Sequence, residues 1–305
     1  MTEDVRPINW ANRPKSYIAR TNEWDEYPNG RWGDGRSPAF GELSTHFFGT
    51  TICTKEDRLA MWGESPLAPE EIGEVFVKYI EGKIPILPWC ETALQMETNT
   101  IAPLLLDINR KGFWTINSQP AVNGMKSDHS ISGWGGPGGR VYQKAYVEFF
   151  TSPQNLELMK KALSHFPSLS LHFIDCQGNL NSLPLSSSSG KGVAALTWGV
   201  FPDKEILQPT IFDPNTFIVW SKEAFQLWIE AWAVLYEDET DSAGLIHQIH
   251  DTYYLVAIID NDYIDSDMYA IFRHVMQEID TAATLVNQSS SQNDEDEESN
   301  IGLVL

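Results

Sequence analysis

Helix-period and strand-period segments follow one another along this chain without strict alternation, and that order limits the architecture more than any single motif does. Pro69 to Ile80 reads as a helix. Pro69 suits a first turn, Glu70 and Glu71 complement the positive helix end, and Ile72, Phe76 and Ile80 recur four apart. Asn99 to Arg110 carries Ile101, Leu104, Leu105 and Ile108 at helical spacing and ends at Lys111-Gly112. Phe113 to Asn117 is strand-like, as is the aromatic stretch holding Tyr142, Ala145, Val147 and Phe149. Asn155 to Phe166 reads as a helix, and Leu169 to Ile174, Val193 to Phe201 and Thr216 to Trp220 as strands. The clearest helix is Lys222 to Tyr236, where Phe225, Trp228, Trp232 and Leu235 form one stripe. Tyr253 to Asp260 is apolar, and Met268 to Leu285 forms a final helix. A doubly wound sheet needs a βαβα rhythm that is missing here. The expected class is α+β, a mixed or antiparallel β-sheet core flanked by helices, neither a Rossmann fold nor a TIM barrel.

Composition narrows the function. The 305 residues hold 21 Lys+Arg against 42 Asp+Glu, a net charge of −21. The run Asp294, Glu295, Asp296, Glu297, Glu298 supplies five of those charges, so the remainder still stands at −16. A nucleic acid or an anionic membrane would need a basic face, and both are excluded as expected partners. With 42% hydrophobic residues, including 11 Trp, the chain has ample material for a core. It contains no apolar run of about 18 residues that could span a bilayer. Met1-Thr2-Glu3-Asp4 is no secretory signal, and Cys53, Cys90 and Cys176 form neither a disulfide framework nor a C-x-x-C pair. A reducing, cytoplasmic setting is the expectation.

Three stretches are anticipated. Residues 1–40 are rich in Trp, Arg and Pro and are expected to pack onto the domain, because disordered linkers are poor in Trp. Residues 41–286 form the domain itself. From Asn287 the Ser/Gln/Asn/Asp/Glu composition predicts a disordered acidic tail, residues 287–305.

The chemical motifs are weak. Gly133-Trp134-Gly135-Gly136-Pro137-Gly138-Gly139 runs into the strand-like Arg140-Val141-Tyr142, so it reads as a tight turn and not as a dinucleotide loop. His247, His250 and Asp251 share a helical stretch, but no Cys or third His lies near them in the sequence, so they read as structural or surface groups with no metal. Asp260-Asn261-Asp262 and Asp265-Ser266-Asp267 lack the Gly and terminal Glu of a calcium loop. No nucleophile elbow or Walker A occurs, and no catalytic constellation is expected. Several polar clusters remain: Glu97-Thr98-Asn99-Thr100 ahead of a helix, Thr115-Ile116-Asn117-Ser118-Gln119-Pro120 at a strand end, Thr197-Trp198-Gly199, and Thr210. Each has an ordinary reading, with Thr98 as a cap, Ser118 in a turn and Thr197 as a strand former.

Longer stretches carry a resemblance. Asp4 to Tyr17, Glu23 to Gly33, Ser37 to Glu42, Thr115 to Pro120, Gln143 to Phe150 and Thr197 to Pro202 resemble the C-terminal regulatory domain of eukaryotic methylenetetrahydrofolate reductase, over residues 4 to about 280. In that family an N-terminal FAD-binding TIM barrel reduces methylenetetrahydrofolate with NAD(P)H, and nothing in this sequence resembles the barrel. The resemblance implies a regulatory domain that binds S-adenosylmethionine as an allosteric inhibitor, with S-adenosylhomocysteine as competitor, and that carries a homodimer contact. It places ligand contacts on Ala11, Glu97, Thr98, Thr115, Ser118, Thr197 and Thr210. Glu97 can pair the ligand ammonium, threonine hydroxyls and helix-start N–H groups can meet its carboxylate, and the Trp10-Ala11 segment can receive adenine. The sulfonium needs no base, since no methyl is transferred. The rival readings are a dimerisation module without ligand and an S-adenosylmethionine-dependent methyltransferase. The family's inter-domain linker would precede residue 1, and Leu183 to Lys191 matches no family pattern and receives no role.

Overall fold

In the computed structural model, the residues described are 69–81, 83, 100–126, 129, 139–184, 192–195, 198–201, 217–226 and 249–301. Helix α1 (Pro69–Ile80) has the bounds its periodicity predicts. Helix α2 (Ala102–Asn109) starts three residues after the expected Asn99, with Pro103 in its first turn. Three residues then turn the chain into β1 (Phe113–Gln119). The strands β2 (Val122–Lys126), β3 (Arg140–Gln143) and β4 (Tyr146–Thr151) lead to α3 (Pro153–Leu163), whose Ser152 cap accepts from the Asn155 amide at 3.3 Å. There follow β5 (Leu169–Ile174), β6 (Leu180–Leu183), β7 (Val193–Ala195), β8 (Trp198–Phe201) and β9 (Phe217–Val219). Residues 222–226 are helical, which is the described part of the stripe expected from Lys222. The chain closes with β10 (Tyr254–Asp260) and α4 (Ser266–Ile301).

The main sheet has the order β1-β4-β10-β5-β6, and every neighbouring pair is antiparallel. Beside it are a three-stranded sheet, β2-β3-β8, and a two-stranded one, β7-β9, also antiparallel. This is the α+β arrangement expected, with helices flanking antiparallel strands.

The register assigns the two faces. Val147, Phe149, Val256 and Leu171 share one face, and helices α3 and α4 cover it. Phe113, Phe149 and Phe272 meet there edge to face at 5.5 to 5.7 Å, and all three are fully buried. The opposite face carries Glu148, Phe150, Ala257 and His172. Trp220 lies over His172 at 4.2 Å, and Phe225 meets Phe150 at 5.4 Å. The central strands β4, β10 and β5 are buried almost throughout, which accounts for their continuous apolar runs.

Several elements differ from the sequence expectation. The aromatic stretch around Tyr142 is two strands in different sheets, split at Lys144-Ala145, and the Ala145 carbonyl accepts from the Asp260 amide at 2.9 Å. Val193 to Phe201 is likewise divided, with β7 pairing β9 and β8 pairing β3. An apolar pattern records burial, and a change of partner leaves no trace in it. The strands β2 and β6 carry no sequence signal because they are edge strands with exposed polar residues. Finally, α4 runs from Ser266 to Ile301, longer than the helix expected over Met268 to Leu285. Its packing residues are Met268, Ile271, Phe272 and Val275, and residues 280–285 are exposed. The apolar period therefore stops where contact stops. The helix runs on through a stretch with no Gly or Pro before Gly302.

Candidate functional site

Thr115 and Ser118 stand three apart on β1, and in a regular strand that odd spacing would send them to opposite faces. The register shifts between Thr115 and Asn117, so that Thr115 pairs with Phe149 and Ser118 with Val147. Phe149 and Val147 are two apart on one strand and share a face, so the bulge at Ile116 turns both hydroxyl residues to the helix-covered side of the sheet.

Thr115 is held in place by Asn109, the last residue of α2. The Asn109 Nδ2 group donates to Thr115 Oγ1 at 2.8 Å and to the Leu105 carbonyl at 2.7 Å. Its Oδ1 accepts from the Thr115 amide at 3.1 Å. Both residues are buried, at 1% exposure for Asn109 and 8% for Thr115. The hydroxyl accepts one bond and keeps its own hydrogen for donation. Gly73 makes this corner possible: a Cβ there would come within 2.2 Å of the Asn109 carbonyl oxygen, so only glycine lets α1 approach α2 so closely.

The strand end and the helix start are drawn together by the first turn of α4 and the residue before it. Asp265 accepts from the Ala121 amide at 2.6 Å, just past β1. Tyr269, one turn later, donates to the Thr100 carbonyl at 2.7 Å, just before α2. Burial, and secondarily the charge of Asp265, push the Tyr269 hydroxyl up to about 12, so it stays a donor. Gln143 secures the end of β1: it accepts from Gln119 Nε2 at 2.9 Å and donates to the Pro120 carbonyl at 2.6 Å. Helix α2 has Ile101 as its N-cap residue, which provides no side-chain cap. Its first-turn N–H groups and positive dipole end are thus set beside the end of the strand that carries Ser118. Such a corner can receive a carboxylate.

Of the seven residues expected to contact ligand, the structure brings Thr115 and Ser118 together. Ala11, Glu97, Thr98, Thr197 and Thr210 lie outside the described residues. Sequence reasoning passed over Asn109, although a polar residue one helical turn after Leu105 on an apolar stripe is the signal of a buried anchor. It also passed over Glu148, which faces the other side of the sheet from Thr115 and is fully buried. Neither carboxyl oxygen of Glu148 makes a well-formed hydrogen bond. Burial pushes this carboxyl up to about 8, and the neighbouring Asn117 amide opposes only part of the shift. His172, on the same face, is lowered to about 4 by burial and is bonded to Ser182 and Ser170.

Comparison with known proteins assigns the domain. The family described as "MTHFR, SAM-binding regulatory domain" matches residues 1–280. A methylenetetrahydrofolate reductase (NADH) 1 from Zea mays is 46% identical over 272 residues, covering 89% of this chain and 45% of the maize protein. The corresponding Arabidopsis thaliana protein is 44% identical, covering 88% of this chain and 45% of its own length. A probable methylenetetrahydrofolate reductase (NADPH) from Caenorhabditis elegans is 42% identical, covering 86% and 41%. The chain thus spans less than half the length of these relatives. Its class is a regulatory, ligand-binding domain. The chain belongs to the family of SAM-binding regulatory domains of methylenetetrahydrofolate reductases.

Proposed function

We propose that this chain senses S-adenosylmethionine for a methylenetetrahydrofolate reductase. S-adenosylmethionine acts as allosteric inhibitor and S-adenosylhomocysteine as competitor at one site, and the output is the activity of an FAD-dependent barrel that uses NAD(P)H. The observation that carries this reading is the corner where Thr115 and Ser118 share a face beside the uncapped start of α2. There the ligand carboxylate meets hydroxyls and backbone N–H groups. Glu97 and Thr98 precede Thr100 by three and two residues, and Tyr269 fixes the Thr100 carbonyl. Glu97 supplies the negative charge for the ligand ammonium, Thr98, Thr197 and Thr210 supply further hydroxyls, and Ala11 contacts adenine. Binding favours one of two arrangements of domain and barrel, and the inhibition is bounded by the difference in affinity for the two. The active assembly is a homodimer in the cytoplasm.

The test is a thermal unfolding series with each ligand, followed by calorimetry. A ligand bound only by the folded state raises the midpoint as its concentration rises above Kd. Both ligands raise it for the wild type, and Glu97→Gln and Ser118→Ala weaken binding. A midpoint indifferent to both ligands at millimolar concentration refutes the sensor reading.

A further inference from the structure

A second cluster of donor atoms lies at the opposite side of the main sheet from β1, and the ligand-sensing role makes no use of it. Strand β5 ends at Ile174, which pairs with Leu255 near the start of β10. The turn after β5 therefore lies beside the helical residues that lead into β10. This brings Cys176 next to His250 and Asp251: one donor atom from each lies within 4.8 Å of the others. Sequence reasoning found no cysteine near His250 because the contact is made across a strand pair and not along the chain.

The cluster is held from several sides. The Asp175 carboxylate accepts from the amides of Gln177 and Asn179, both at 3.0 Å, and from Asn179 Nδ2 at 2.8 Å, which fixes the turn that carries Cys176. His250 Nδ1 is 2.8 Å from Asp251 Oδ1, and its ring packs against Phe225 at 5.9 Å. Cys176 is a free, half-buried thiol. Burial and the charges of Asp175 and Asp251 push it up, and Lys222 opposes them. The two carboxylates make the site attractive to a cation, and among the described residues Lys222 is the charge that opposes them at the thiol.

We propose that Cys176, His250 and Asp251 form a binding site for a divalent ion of the zinc class. One sulfur, one imidazole nitrogen and one carboxylate oxygen make a borderline-soft donor set, which suits zinc and excludes magnesium or calcium as the preferred ion. Donors around a tetrahedral zinc stand roughly 3.5 Å apart, so side-chain rotation of about 1 Å closes the cluster. On binding, the thiol proton leaves to solvent and His250 contributes a neutral ring nitrogen as its hydrogen bond to Asp251 opens. Water takes the fourth position. The ion would tie the β5 turn to the segment entering β10, and so stabilise the folded state.

The experiment uses the whole chain, reduced and stripped of metal with a chelator. Cobalt(II) is titrated first, and zinc is then added to displace it. The expected result is one cobalt per chain with a thiolate charge-transfer band in the near ultraviolet, loss of that band on adding zinc, and an unfolding midpoint that rises with zinc. Cys176→Ser removes the band and the zinc-dependent rise, while its metal-free midpoint reports that it still folds. His250→Gln serves as the second variant and loses stoichiometric zinc. The proposal is overturned if the wild type shows no band. It is equally overturned if the band persists in Cys176→Ser, which would assign the metal to Cys53 or Cys90.

Discussion

Replacing Asn109 with alanine tests whether the corner that carries Thr115 is built as described. The side chain makes three hydrogen bonds, to the Leu105 carbonyl, to Thr115 Oγ1 and from the Thr115 amide. The last is the costly one to lose. A buried backbone N–H left without a partner costs about 1–3 kcal/mol, and each of the other two bonds contributes about 0.5–1.5 kcal/mol net. Part of this is recovered where water reaches Thr115. The expected loss is about 3 kcal/mol, or roughly 6–12 °C in the midpoint of a domain of this size. Urea unfolding followed by tryptophan fluorescence and by far-ultraviolet circular dichroism measures it, and coincidence of the two probes licenses a two-state treatment. Thr115→Val is the control, since it removes only the hydroxyl and leaves the amide bonded to Asn109. Its loss is about 1 kcal/mol, and the double variant shows non-additivity of similar size. A loss below about 0.5 kcal/mol for Asn109→Ala, the level of an ordinary surface change, refutes the reasoning.

Two other perturbations have calculable signs. The Glu148 carboxyl titrates near 8 in the folded protein against its ordinary 4.5, so its stabilising contribution is complete below 4.5 and is lost as pH rises through 8. His172 runs the other way, near 4 against 6.5, with its contribution complete above 6.5 and lost on acidification. Between pH 6.5 and 8 the Glu148 effect therefore stands alone of the two, and the urea midpoint of the wild type falls as pH rises. Glu148→Gln keeps the neutral shape and flattens that slope, and an unchanged slope in the variant would show that Glu148 is not its source. Gly73→Ala drives a methyl group to 2.2 Å from the Asn109 carbonyl oxygen. The overpacking costs about 1–3 kcal/mol, more than the gain of about 1 kcal/mol in helix propensity. A variant as stable as the wild type in urea would mean that α1 and α2 do not meet there.

What the sequence made legible follows from how each element meets its surroundings. Helix α1 and strand β5 were readable to the residue because one has a single apolar stripe and the other is buried on both faces. The split between β3 and β4 was not readable. Tyr142 and Val147 look alike as strand formers, and only the partner sheet distinguishes them. The site shows the same division. Thr115 and Ser118 were singled out by resemblance, but their spacing on a strand argues against a shared face, and the bulge that reconciles them leaves no signature in Thr115-Ile116-Asn117. Asn109 was open to discovery as a polar residue on an apolar stripe. Cys176 and His250 were not, because they become neighbours only through the pairing of β5 with β10.

The position of β10 in the sheet governs how such a chain can be made. Residues 146–151 and 169–174 leave the ribosome long before residues 254–260, yet the late strand must be inserted between the two early ones. Until it arrives, β4 and β5 each present an apolar strand with an unfilled edge, the geometry that invites pairing with another chain. Assembly is therefore dominated by distant contacts and is correspondingly slow. A nonsense mutation between residues 184 and 254 leaves β4 and β5 without the strand that joins them, two half-sheets prone to aggregate.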